Sequence, residues 1–113
     1  MIKSFFKQKP NLTPHERMVA YAIKILNERK HEDIRSVIPN HKMPKRVVRE
    51  STGENYVPEV TAVKSGQFRL FAVETKDTLE QEGVEKRWKL FDSYAGQNDA
   101  LFYVVFPAGS VAR

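Results

Sequence analysis

A mixed α/β (α+β) domain, with a central sheet flanked by helices and elements in the order α, β, β, β, β, α, β, is the fold class the sequence predicts. Three features predict it. Tyr56 to Lys76 reads as a β-hairpin whose second strand carries Phe68, Leu70, Phe71, Ala72 and Val73, a run too apolar for an exposed edge and suited to a sheet centre buried on both faces. Two amphipathic helices with N-terminal capping residues flank the strand-rich middle. Ala100 to Phe106 then reads as a fully buried strand, parallel to the central one because a helix intervenes.

The first helix opens on a capping box, with Thr13 as N-cap, Pro14 at N1 and Glu16 at N3. Val19, Ala22, Ile23 and Leu26 form its buried stripe, and it should run to Arg29 or Lys30. Asp33 to Ile38 alternates weakly, as a short strand would. Pro39 to Pro44 is a loop, Lys45 to Arg49 a second strand carrying Val47 and Val48, and Ser51 to Asn55 the turn into the central hairpin. Beyond Lys76, Asp77 or Thr78 caps a second helix, with Glu80 or Gln81 available to complete a box. Val84, Trp88, Phe91 and Ala95 form its core stripe, and Gly96-Gln97-Asn98 ends it.

The hairpin turn, Ser65-Gly66, sets the alignment from which the candidate site follows. Pairing Lys64 with Gln67 puts Val63 opposite Phe68, Thr61 opposite Leu70 and Glu59 opposite Ala72. Side chains repeat every second residue, so Glu74 and Lys76 share a face with Ala72 and hence with Glu59. Glu59 and Glu74 become diagonal neighbours with centres roughly 7 Å apart, a span two carboxylates can close by gripping one hard cation.

A chain of 113 residues with 41% hydrophobic and 11% aromatic content supports one globular domain over 1–113, with residues 1–12 as a basic arm. No apolar run is long enough to cross a bilayer, and no signal-peptide pattern is present, so no membrane partner is expected. The absence of cysteine excludes disulfides and thiolate metal sites and fits a cytoplasmic setting. After residue 107 the final sheet face lacks a cover, although Ser110 could cap a further helix. Either a partner copy completes it, as a homodimer, or the chain is shortened. The formal net charge of +5 favours a polyanionic partner. Arg35, Lys42, Lys45, Arg46 and Arg49 could follow a phosphate backbone or form a solvated surface. His15, His31 and His41 lack the spacing of zinc ligands and read as surface residues. Trp88 falls on a helix stripe and reads as core packing.

A helix bearing an acid, then Pro58-Glu59 on one hairpin strand and Glu74-Thr75-Lys76 on the next, followed by a helix and a buried strand, resembles the PD-(D/E)XK nuclease superfamily. The likeness extends over about residues 13–106. It implies a restriction endonuclease-like αβββαβ core, similar to the archaeal Holliday junction resolvases, with Glu16 where those nucleases often carry a Glu. A Glu stands at position 59 where the family usually has Asp, one methylene shorter. The resemblance implies that Glu59 and Glu74, helped by the Thr75 carbonyl, hold Mg²⁺ or Mn²⁺, and that Lys76 orients the attacking water. It makes Glu59, Glu74, Lys76 and Glu16 the candidate catalytic residues, although its N3 position also gives Glu16 a sufficient role in capping. The function implied is a metal-dependent phosphodiesterase, a nuclease or resolvase-like enzyme acting on DNA. The alternatives are a non-catalytic nucleic-acid-binding module of the same fold and a structural or interaction subunit.

Overall fold

The computed structural model describes residues 11–107; the first ten residues of the basic arm and Ser110 lie outside the described residues. Ser65 and Gly66 both adopt positive φ (53° and 78°), as a two-residue turn matched to strand twist requires. The turn joins β4 (Val60–Lys64) to β5 (Gln67–Val73) in the expected register, Lys64 with Gln67, Val63 with Phe68 and Thr61 with Leu70.

The elements before this hairpin, in chain order, are α1 (Pro14–Glu28), β1 (Glu32–Ser36), β2 (Val47–Val48) and β3 (Asn55–Tyr56). After it come α2 (Lys76–Leu79), α3 (Val84–Gln97) and β6 (Leu101–Val105). The main sheet has the order β1-β4-β5-β6, antiparallel except for the parallel β5–β6 pair, which α3 connects. Alternation along β5 gives each helix one face. Phe71 and Val73 join Val60 and Ala62 beneath Val19, Ala22 and Leu26 of α1, while Leu70 and Ala72 meet Leu90, Phe91 and Ala95 of α3. The central strand is thus apolar on both faces because both faces are covered.

α1 opens as its sequence predicts. The Thr13 hydroxyl accepts from the Glu16 amide at 3.1 Å, and the Glu16 carboxylate accepts from the Thr13 amide at 3.0 Å.

Four expectations need correction. The weak strand expected over 33–38 lies at Glu32–Ser36, with an irregularity between Glu32 and Arg35 that includes Asp33 at φ 47°; this bulge explains the poor alternation. The strand expected over 45–49 does not join the main sheet. Only Val47–Val48 is extended, and it pairs with Asn55–Tyr56 in a separate ribbon closed at Gly53, φ 79°. The second helix is not capped at Asp77 or Thr78. Thr75 caps the single turn of α2 through a reciprocal bond with Thr78, and α3 starts afresh after Gly83, whose φ of 90° breaks the run. Finally, β6 is an edge strand and not fully buried. Leu101 and Tyr103 are 36% and 40% exposed, because a neighbouring strand lies on one side only.

No helix of the described residues is long and apolar enough to cross a membrane. Phe91 is completely buried and packs against Phe102 with ring centres 5.6 Å apart. Phe91→Ala should destabilise the fold by about 3–5 kcal/mol, read as a lowered urea midpoint at unchanged slope.

Candidate functional site

Glu59 and Glu74 stand at adjacent ends of the hairpin strands, one residue before β4 and one after β5. Both are withdrawn from water, at 8% and 0% exposure. Backbone bonds tie each acid to a neighbouring segment. The Glu59 carbonyl accepts from the Val37 amide at 3.1 Å, and the Glu74 amide donates to the Val105 carbonyl at 2.8 Å.

Burying two like charges costs several kcal/mol per ion unless each finds partners. Glu59 Oε1 accepts from the Val73 amide at 3.0 Å. Glu74 Oε2 accepts from Arg87 Nη2 at 3.1 Å and from the Trp88 indole at 3.0 Å. The other terminal nitrogen of Arg87 lies 3.8 Å from Glu59 Oε2, so one guanidinium spans the two acids. His15 enters from α1, donating from Nε2 to the Val73 carbonyl at 2.8 Å and lying 3.5 Å from Glu59 Oε2. One atom is left over. Glu74 Oε1 is buried without any hydrogen-bond partner among the described residues.

The contact with Glu59 raises the His15 pKa above its ordinary value of 6.5; burial opposes this, and the Val73 carbonyl and the charges of Glu59 and Glu74 support it. With His15 protonated, two carboxylates face one guanidinium and one imidazolium, a balanced set.

The other expected residues are placed differently. Lys76 is exposed at the first position of α2, because the Thr75 cap ends the strand before alternation reaches it. The Thr75 carbonyl accepts from the Leu79 amide at 2.9 Å and the Thr78 hydroxyl at 3.2 Å, so the helix cap engages it. Glu16 closes the capping box of α1. Arg35 pairs with Asp33 at 3.2 Å on β1, and Lys42 and Lys45 are exposed in the connection to β2. Arg46 bonds to Asn55 within the ribbon, whereas Arg49 lies 3.7 Å from Glu54, whose other oxygen is 3.2 Å from Lys86 of α3. The basic residues are therefore spread over β1, the β1–β2 connection and the ribbon.

His15, Arg87 and Trp88 are the site residues that sequence reasoning missed. His15, expected on the surface, is half-buried against Glu59, and Trp88, expected only to pack, donates to Glu74. A signal for Arg87 was available. A helix joining two parallel strands begins where the first strand ends, so the opening turns of α3 must lie close to Glu74.

A small hard cation is commonly held by one or two carboxylates, with water and substrate oxygens completing its shell. The described residues contain no group of three or more His, Cys, Asp or Glu able to hold a metal. Glu74 fits this sparser type, since it offers a buried oxygen with no partner among the described residues, whereas Val73, His15 and Arg87 already engage the oxygens of Glu59. Thr75 does not fit, because the helix cap engages its carbonyl. No protein-family model, curated protein or solved structure matches the chain.

A raised pKa adds stability that is full below the unfolded value and is lost as pH climbs through the folded one. His15→Gln should therefore destabilise the protein most below pH 6.5, with the difference shrinking as pH rises through the raised value. Urea denaturation of both proteins across this range in metal-free buffer would show it; a gap independent of pH would contradict it.

Proposed function

We propose that the chain is a metal-dependent phosphodiesterase acting on DNA, nuclease or resolvase-like, on a restriction endonuclease-like core. One observation carries this reading. Two carboxylates are buried at the ends of paired strands, and Glu74 Oε1 has no partner among the described residues. A protein that needed only a structural ion pair would gain by satisfying that oxygen or replacing it. The order of helix, three antiparallel strands, crossover helix and parallel strand supports the family resemblance.

Glu59 and Glu74 would hold Mg²⁺ or Mn²⁺. When bound, such an ion neutralises charge on the scissile phosphate and makes water more acidic. The chain's own residues do the positioning. The Val73 amide fixes Glu59, and the Trp88 indole fixes Glu74. Lys76, which the resemblance assigns to water orientation, stands exposed two residues beyond Glu74.

A second reading, a binding module of the same fold without catalysis, is favoured by the guanidinium that spans both acids. Under either reading the net charge of +5 suits a DNA partner, and the cysteine-free chain suits the cytoplasm. We also propose a homodimer formed along the exposed edge of β6, where Leu101, Tyr103 and Phe106 collect.

Labelled branched, single-stranded and duplex DNA, each with Mg²⁺, Mn²⁺ or EDTA, separates these readings. Cleavage should require the metal, and Glu59→Gln and Glu74→Gln should each lower the single-turnover rate by about two orders of magnitude or more. DNA binding without cutting under every condition would select the binding module. For the homodimer, sedimentation at micromolar concentration should show a two-chain species that Tyr103→Lys converts to one chain; a parent that sediments as one chain would refute it.

A further inference from the structure

Arg87 is shared between the two acids. Its two terminal nitrogens go to different carboxylates, 3.1 Å from Glu74 and 3.8 Å from Glu59. Its side chain keeps 22% exposure while that of Glu74 has 1%, so Arg87 is the more accessible of the two partners. The other oxygen of Glu74, Oε1, is buried and has no partner among the described residues. Lys76 has no ion pair with either acid among the described residues, whose carboxylates pair with His15 and Arg87.

We propose that Arg87, not Lys76, is the phosphate-binding cation of this site, and that Glu59 and Glu74 hold it in reserve. A guanidinium presents a planar fork that matches two oxygens of a phosphate as readily as two carboxylate oxygens, whereas an ammonium acts as a point charge. While no further cation lies beside the two acids, the fork is engaged by them. Compensating or removing their negative charge releases Arg87, whose side chain is partly exposed, so that a DNA phosphate can take the place of the acids. The inference rests on the proposed function for its ligand, DNA, but does not require cleavage.

The test is a cycle of DNA affinities in EDTA, read by fluorescence anisotropy on a labelled duplex oligonucleotide. In the parent, Arg87→Gln should change affinity by less than about twofold, because the acids already occupy the fork. In the Glu74→Gln background the same substitution should weaken binding by about tenfold or more, while Lys76→Ala there costs less than about threefold. Equal effects of Arg87→Gln in both backgrounds, or a larger loss from Lys76→Ala, would overturn the assignment. Circular dichroism checks each fold. Should Arg87→Gln not fold beside two ionised acids, Arg87→Lys keeps the charge, removes the fork and carries the same expectation. The expected coupling in a parent that cuts no DNA with Mg²⁺ or Mn²⁺ would end the nuclease reading and leave the role of Arg87 standing. Cleavage by a parent without that coupling would do the reverse.

Discussion

The register of the β4–β5 hairpin is the constraint on which the rest of the molecule depends. Ser65 and Gly66 close it in two residues, and that length decides which side chains face α1 and which face α3. A slip of one residue between the strands would turn the apolar set of one of them to the wrong face. The same register brings Glu59 and Glu74 to one end of the sheet, where α3 can reach both. Core formation and site assembly are thus one geometric event.

Electrostatics accounts for the elements around that end. Two buried carboxylates would repel and lose their hydration, so folding requires opposite charge from both layers of the sandwich. α1 supplies His15 and α3 supplies Arg87. α1 and α3 therefore each contribute one apolar stripe and one basic side chain, and the acids join the two layers across the end of the sheet. Glu54 does similar work at the ribbon, where its contacts with Arg49 and Lys86 tether β2–β3 to α3. Those groups are exposed enough that salt weakens the tether well before it affects the buried acids.

What could be read in the sequence was what local chemistry decides. The Thr13–Glu16 box, the Ser65-Gly66 turn and the double-sided apolarity of β5 all depend on residues close in the chain, and these features agree with the structure. The pairing of Glu59 with Glu74 followed from the turn and period-two alternation. Lys76 escaped because alternation assumes a continuing strand, whereas Thr75 and Thr78 form a competing cap. β6 looked fully buried because an apolar run reads the same at an edge as in the middle. The roles of His15 and Arg87 depend on how far a helix-borne side chain reaches across a packed interface, a tertiary quantity with little local trace.

The chain contains one tryptophan, and its indole N–H is bonded to the most deeply buried carboxylate of the site. Trp88 is therefore a native optical probe. With no second indole to interfere, loss of the ionic partner of Glu74 or arrival of a cation there would act on this one chromophore. Events at the sheet end can be followed in the unlabelled protein, separately from any turnover.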